Sequence, residues 1–276
     1  MTRMFVRLLR RVLVAALGVF AVWVIVFVVF RFADNRLPWI LAAAFTYAVA
    51  AYVILPRVVR TSLKILQQKR VPRYTLTGDG LPGDPVNVVL IGTRRQLEAA
   101  FAAAGWAVAD RLNVRSSWRM VRAFLLNRPY PTAPFSTLYL FGRGQDVGFQ
   151  KCIDNSPRRR HHIRFWGLGL QHAEATLGTP SFWRAGRRPL DNTRVAWVGA
   201  GTKDIGFSLT KLTFQITHAT DDDTNAEREF IIAELADTKV IAEVTAYRAR
   251  QHLKIEHVNH YMTDGEVAAA KLVIEG

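Results

Sequence analysis

The chain has 276 residues, a formal net charge of +15 and a single cysteine. One cysteine excludes a disulfide framework within the chain and indicates a reducing compartment. Residues 1–70 hold eleven Lys and Arg but one acidic residue, so much of the positive charge lies near the N-terminus. That distribution is typical of membrane flanks that attract anionic lipid headgroups, and it disfavours nucleic acid as the partner.

Two uncharged apolar stretches open the chain, at residues 12–30 and 37–55. At about 1.5 Å per helical residue, each can cross a hydrocarbon core of about 30 Å. Arginine and lysine flank both outer ends, and basic flanks are retained in the cytoplasm. Residues 1–70 therefore predict a two-pass transmembrane hairpin in a bacterial inner membrane, with both termini and the soluble part cytoplasmic. A signal peptide is the alternative for the first stretch, but the apolar run exceeds the usual ~7–15 residues and no small-residue cleavage site follows.

Residues 71–85 contain three prolines and three glycines, which predicts a linker. Residues 86–276 are long enough to bury one core. Capping boxes at Thr93/Gln96 and Thr224/Glu227 predict helices to about residues 104 and 238, with another helix at 114–126. Strands are predicted at 86–91, 137–141, 163–166, 195–198, 207–216, 240–247 and 267–274. The predicted fold class is an α+β domain with a mixed sheet, preceded by the transmembrane hairpin. The segment 167–194 is a long excursion, which is typical of a functional or mobile loop.

The first polar cluster lies in the glycine-rich segment 141–151. Arg143 and Lys151 are candidate phosphate ligands, with Gln145 beside them. Asp146 could orient one of the cations or bind a metal ion. The alternative is a glycine-rich turn with a surface ion pair.

The second cluster lies at residues 156–166. In a strand, period 2 places His161 with Ile163 and Phe165 on one face, and His162 with Arg164 on the other. His161 is then a buried, hydrogen-bonded histidine, whereas His162 and Arg164 form a site pair that could transfer a proton and hold an anion. Residues 158–160 have the alternative of a solvated basic loop that meets anionic lipid.

The third cluster, residues 218–223, precedes a predicted helix. His218 and Asp222 suit a divalent metal ion, although acidic residues at a helix start are also favoured by the helix dipole alone. Asp204 follows a strand and could join this site. Cys152 and the histidines 252, 257 and 260 are interpreted as an idle thiol and as surface residues.

Several runs together carry a family resemblance. They are A-G-W at 104–106, P-F-S-T-L-Y-L-F-G-R-G-Q-D-V-G-F-Q-K at 134–151, S-P-R-R-R-H-H-I-R-F-W at 156–166, W-V-G-A-G-T-K-D-I-G at 197–206 and T-H-A-T-D-D-D-T-N-A-E-R-E-F at 217–230. In this order they resemble the LssY-like C-terminal domain, over about residues 100–240.

The resemblance implies a domain without an established activity, often attached to membrane proteins with a PAP2-type lipid phosphatase or DedA-type segment. This chain departs from that arrangement, because two spans leave no room for either segment. The resemblance also implies one polar site made of Arg143, Gln145, Asp146, His161, His162, Arg164, Asp204, His218, Asp222 and Arg228.

Two functions remain open. In the first, a membrane-anchored cytosolic domain binds or processes a phosphorylated, lipid-derived ligand, as a hydrolase would. The anion is held by Arg143, Lys151 and Arg164, the acid–base groups are His162 and His218, and Asp204 and Asp222 orient them or bind a divalent ion. In the second, a non-catalytic membrane protein recruits a partner in an envelope or export assembly, and the polar cluster only stabilises the fold.

Overall fold

The computed structural model describes residues 2–66, 74–126, 128–154, 156, 158–170, 193–209, 214, 216–248 and 263–274. The chain divides into two compact units. The first comprises Met1–Arg70, Gly78–Leu81 and Ser208–Thr217, and the second comprises Val71–Thr77, Pro82–Phe207 and His218–Gly276.

The first unit is built from long helices. Helix α1 (Thr2–Trp23) continues through a π-helical segment, Val24–Phe30, into α2 (Arg31–Asp34). After a short turn, α3 (Trp39–Val49) continues through a second π-helical segment, Ala50–Ile54, into α4 (Leu55–Leu66). The stretches Leu8–Asp34 and Trp39–Ser62 are long and apolar enough to cross a membrane, by length and composition. The predicted span 12–30 lies inside the first stretch, and the predicted span 37–55 overlaps the second but begins two residues before it.

The second unit begins with a small antiparallel sheet. Its strands are β1 (Tyr74–Leu76), β2 (Pro82–Pro85), β5 (Tyr139–Leu140) and β6 (Arg143–Gly144), in the order β2-β1-β5-β6. Residues predicted to be a linker therefore contribute two paired strands. Two of the three prolines that indicated a linker, Pro82 and Pro85, lie in β2, at the sheet edge, where the missing N–H groups break no interior ladder.

The larger sheet has the strand order β11-β12-β3-β9-β8-β7-β4, with β10 paired to β9. Its strands are β3 (Val88–Gly92), β4 (Ala107–Val108), β7 (Val147–Cys152), β8 (Arg160–Gly169), β9 (Val195–Leu209), β10 (Ile216–Thr220), β11 (Ile241–Arg248) and β12 (Glu266–Leu272). Strands β12 and β3 are parallel, whereas β3–β9, β9–β8 and β8–β7 are antiparallel. The sheet is mixed, and the unit is an α+β domain as predicted.

Two helices cover one face of the larger sheet. They are α5 (Arg94–Ala103) and α7 (Thr224–Asp237), and a third helix, α6 (Val114–Leu125), lies between β4 and β5 in the chain. Phe101 of α5 stacks on Phe149 with ring centroids 4.4 Å apart and meets Phe165 edge-on at 5.5 Å. A Cβ atom at Gly201 would lie 2.5 Å from Ile231 Cδ1, so glycine on β9 is what allows α7 to approach the sheet closely. This face is the main apolar core.

The two predicted capping boxes have different outcomes. At α5 the box is confirmed: Thr93 Oγ1 accepts from the Gln96 amide and Gln96 Oε1 accepts from the Thr93 amide. At α7 the prediction is wrong by one residue, because Asp223 is the N-cap and accepts from the amides of residues 225 and 226. Glu227 is thereby released from a capping role.

Two strands are longer than the sequence predicts. The predicted strands 163–166 and 195–198 are parts of β8 and β9, which extend further, since the ends of these strands are polar and do not show an apolar strand pattern in the sequence. Strand β7 was not predicted. The predicted strand 207–216 covers the end of β9 and the start of β10, and residues 210–213 and 215 lie outside the described residues. So does most of the excursion at 167–194, of which residues 167–169 belong to β8.

Candidate functional site

A polar network lies on the sheet face opposite α5 and α7, along three adjacent strands. The register aligns Gln150 of β7 with His162 of β8 and Thr202 of β9, and it places Arg160 opposite Asp204. Residues paired in this way project from the same face of a sheet. With contributions from β2 and β10, the network comprises Asp84, Gln150, Arg160, His162, Arg164, Thr202, Asp204 and His218.

Its centre is a buried ion pair between Arg160 and Asp204. Arg160 Nε donates to Asp204 Oδ2 at 3.0 Å, and the two residues are 1% and 2% exposed. Arg160 Nη1 donates to Gln150 Oε1 at 2.7 Å and to the Ala133 carbonyl at 3.3 Å. A guanidinium buried this completely requires such hydrogen-bond partners, because the loss of any one leaves part of its positive charge without solvation.

A second ion pair joins the two sheets. Arg164 Nη1 donates to Asp84 Oδ2 at 2.5 Å. His162 lies between the two carboxylates, with Nδ1 3.5 Å from Asp204 Oδ2 and Nε2 3.8 Å from Asp84 Oδ2. The same Nε2 makes a 2.9 Å hydrogen bond with Thr202 Oγ1. His162 is buried, so its ring is fixed inside the network.

The ring of Phe135 covers these side chains. Its centroid lies 4.4 Å from Arg164 Cζ and 5.4 Å from the centroid of His162. A Cβ atom at Gly148 would collide with this ring, so the glycine makes room for it. A cation over an aromatic face is stabilised most where water is excluded, as it is here.

His218 is the most exposed member of the network. Its side chain is 24% exposed, its Nδ1 lies 3.8 Å from Asp204 Oδ2, and its Nε2 lies 3.5 Å from Arg160 Nη2. Burial lowers the pKa of His218 to about 4; the Asp204 charge opposes this shift and the nearby cations add to it. The imidazole is therefore neutral at pH 7, at the edge where the network meets solvent.

Asp204 keeps its negative charge in this setting. Burial alone would raise the pKa of its carboxyl group, but electrostatic interactions with His162, Arg160 and His218, together with the Arg160 hydrogen bond, hold that pKa below its ordinary value. A buried carboxylate between a guanidinium and two imidazoles can orient the imidazoles and stabilise them when they take up a proton.

Four of the predicted site residues thus meet: His162, Arg164, Asp204 and His218. Sequence reasoning did not include Arg160 among the site residues and gave it the alternative of a solvated loop. The period-2 pattern that pairs His162 with Arg164 also includes position 160. A strand predicted to begin at residue 160 would have placed Arg160 on the same face. Sequence reasoning missed Asp84 as well, because that residue was assigned to the linker.

Three residues of the first cluster have structural contacts elsewhere. Arg143 forms an ion pair with Asp146 and donates through Nη2 to the Gly167 carbonyl, while the Gly167 amide donates to Asp146 Oδ2. Gln145 Oε1 accepts from the Leu138 amide. These bonds tie the turn after β6 to the end of β8. They agree with the alternative of a glycine-rich turn with an ion pair, except that this pair is not at the surface: the two side chains are 17% and 6% exposed.

The remaining candidates lie towards α7. Lys151 Nζ lies 2.7 Å from Glu234 Oε2, and His161 Nδ1 lies 2.7 Å from Glu227 Oε2, with the imidazole stacked on Phe230 at 4.0 Å. Burial raises the pKa of Glu227, although its bond to His161 opposes the shift. Arg228 donates to both carboxylate oxygens of Asp264, at 2.8 and 3.1 Å. Asp222 is exposed at the start of α7.

No metal centre is formed by the part of the chain that the structure describes: no three of its His, Cys, Asp and Glu residues are grouped to hold an ion. A cation at His218 would also face the Arg160 guanidinium, which repels it. The Asp222/His218 metal site stays a prediction. Burial raises the pKa of the Cys152 thiol, which makes it a poor nucleophile, and His252, His257 and His260 lie outside the described residues.

The family model described as the LssY C-terminus matches residues 68–267 of this chain. The chain belongs to the LssY C-terminal family. The match contains β1 to β11 and the start of β12, so the LssY domain includes Asp84, which a boundary at residue 86 leaves out. Neither the comparison with curated proteins nor the comparison with solved structures gives a match.

Proposed function

We propose that the LssY domain of this chain binds the phosphate group of a phosphorylated, lipid-derived ligand at the His218 edge of the polar network. The observation that carries the proposal is the approach of Arg160 Nη2 to His218 Nε2, 3.5 Å apart, at the least buried point of the network. A permanent cation and a neutral imidazole meet there.

The Arg160 guanidinium is suited to this role by the way its nitrogens are used. Its Nε bonds Asp204 and its Nη1 bonds Gln150, so the side chain is fixed, while Nη2 faces His218. A phosphate oxygen that enters beside the imidazole accepts a hydrogen bond from Nη2, and its negative charge faces the positive charge of the guanidinium. Charge-assisted hydrogen bonds of this kind are stronger than neutral ones. His218 contributes one ring nitrogen as donor or acceptor.

The same geometry suits proton transfer. A neutral histidine next to a carboxylate is the usual arrangement of a general base and its orienting group. His218 and Asp204 meet this description, and His162 is held too deep in the network to reach a ligand directly. If the ligand is processed as well as bound, His218 moves the proton, and hydrolysis appears as release of inorganic phosphate.

Binding of short-chain lipids to the full chain in detergent micelles is measured by calorimetry. Dihexanoyl phosphatidic acid is expected to bind and dihexanoyl phosphatidylcholine is not. His218→Asn removes the edge contact but no charge at pH 7, and it is expected to weaken phosphatidic acid binding about tenfold. A parallel titration with inorganic phosphate distinguishes a lipid headgroup site from a site for the free ion.

The matched control is His161→Asn. His161 is adjacent in β8 but belongs to the opposite face, where it bonds Glu227, so its loss should leave the affinity unchanged. Equal binding by the two variants, or equal binding of the two lipids by the wild type, contradicts the proposal. The network would then serve only to stabilise the fold, as expected for a protein that recruits a partner in an envelope assembly.

We also propose that the two apolar helices tether this domain to the cytoplasmic face of a bacterial inner membrane. The support is the excess of arginine and lysine outside both apolar stretches and the short connection between them. Tethering raises the local concentration of a membrane-borne ligand. Protease added outside intact cells should leave the LssY domain whole and digest it only after the membrane is opened. Digestion in intact cells contradicts this orientation.

A further inference from the structure

Helix α6 turns an apolar stripe towards solvent. Val114, Trp118 and Val121 are 89%, 68% and 48% exposed. Their spacing of four and three residues places them on one side of the helix. The other side is what packs on the domain: Ser116 and Ala123 are buried, and Ala123 joins a small cluster with Tyr130. Among the side chains that the structure describes on this helix, the fully buried ones are small, Met120 is partly buried beside them, and three large apolar ones are exposed.

Cationic side chains surround this stripe. Residues 111–128 contain five arginines and no acidic residue. All five are exposed: Arg111, Arg115, Arg119, Arg122 and Arg128. Arg119 lies over the Tyr130 ring and 3.7 Å from Asp110, whereas Arg115 and Arg122 lie beside the apolar stripe on the helix surface.

We propose that α6 lies in the headgroup region of an anionic bilayer, with the Val114–Trp118–Val121 stripe inserted and the arginines on lipid phosphates. A helix with an apolar stripe bordered by arginines, and with tryptophan in that stripe, is the pattern of interfacial membrane helices. The arginines select a negatively charged surface. A bilayer is favoured over an acidic protein because the same chain carries two helices long and apolar enough to cross a membrane.

This contact is separate from the basic flanks of the apolar helices and from the Arg160/His218 edge. It requires neither a phosphate site nor a particular ligand. A tether alone restricts only the distance of the domain from the bilayer, whereas an inserted α6 would also restrict its orientation.

The test uses the full chain in nanodiscs that hold one copy each. On a Cys152→Ser background, Trp118→Cys carries an environment-sensitive fluorophore. In nanodiscs of equal parts phosphatidylcholine and phosphatidylglycerol, iodide quenching of the label is expected to fall roughly twofold or more relative to nanodiscs of phosphatidylcholine alone. The added change Arg115→Glu/Arg122→Glu is expected to restore quenching, since losing two cations near the surface weakens docking roughly 30-fold.

Ala103→Cys on the same background is the matched control, because residue 103 is exposed on α5 and outside the stripe. Its quenching should be the same in both lipids. Equal quenching of the residue 118 label in both lipids overturns the proposal, as does protection that survives the double charge reversal. Protection that develops only on adding an acidic protein also overturns it and assigns the stripe to a protein partner.

Discussion

Asp204→Asn is expected to lower the free energy of unfolding by about 3–5 kcal/mol. The change keeps the size of the side chain but removes the charge that faces Arg160, and Arg160 is only 1% exposed. Asparagine still offers one oxygen to the guanidinium Nε, so the loss comes from charge rather than from a cavity. Urea unfolding in detergent micelles measures the effect, because Trp106, Trp166 and Trp197 are buried in this domain and report its unfolding by fluorescence.

A neighbouring ion pair provides the comparison. Arg159 Nη1 lies 3.3 Å from Asp154 Oδ2, but these side chains are 51% and 76% exposed. Asp154→Asn should therefore change stability by less than about 1 kcal/mol. A loss for Asp204→Asn no larger than for Asp154→Asn would show that the buried charges are not coupled as the distances indicate.

A double variant separates stability from function. In Arg160→Met/Asp204→Leu both charges are absent, so no buried ion lacks a partner, and part of the stability is expected to return. If phosphatidic acid binding does not return with it, the ion pair is retained for the ligand rather than for the fold.

Lowering the pH from about 7.5 to about 5 is expected to remove about 2 kcal/mol of stability through His218 alone. The histidine has an ordinary pKa of 6.5 when the chain is unfolded, and burial lowers it to about 4 in the folded domain. Between those values the unfolded chain binds a proton that the folded chain does not. Stability is thus complete above about pH 6.5 and falls as the pH approaches 4.

The variant His218→Asn isolates this effect from the other groups that titrate in the same interval. Glu227 acts in the opposite direction, because a raised pKa lets the folded state take up its proton first. The measured quantity is the difference between the pH dependences of wild type and variant, from urea unfolding at each pH. Parallel curves would mean that His218 is as solvated in the folded domain as in the unfolded chain.

The strands of the domain were predictable where local patterns decide them. Period 2 in residues 161–166 correctly separated His161 from His162, and spacing alone identified the cap at Thr93. The long-range partners of the side chains on a buried strand were not predictable. Asp84 reaches Arg164 across 80 positions in the chain and Asp204 reaches Arg160 across 44, and no local pattern carries the register that brings them together. The ion pairs of Arg143 and Lys151 were not predictable for the same reason, since a cation that pairs with a carboxylate looks the same in sequence as one that binds a ligand.

Strand β8 has a consequence for how this domain can move. It carries ionic side chains on one side and Ile163 and Phe165 on the other, so sliding by a single residue would push guanidinium groups among the rings of Phe101 and Phe149. Both neighbours, β7 and β9, enforce the same alignment. The parts of the site that can shift when a ligand binds are therefore those outside these three paired strands, namely the imidazole of His218 and strand β10, which carries it.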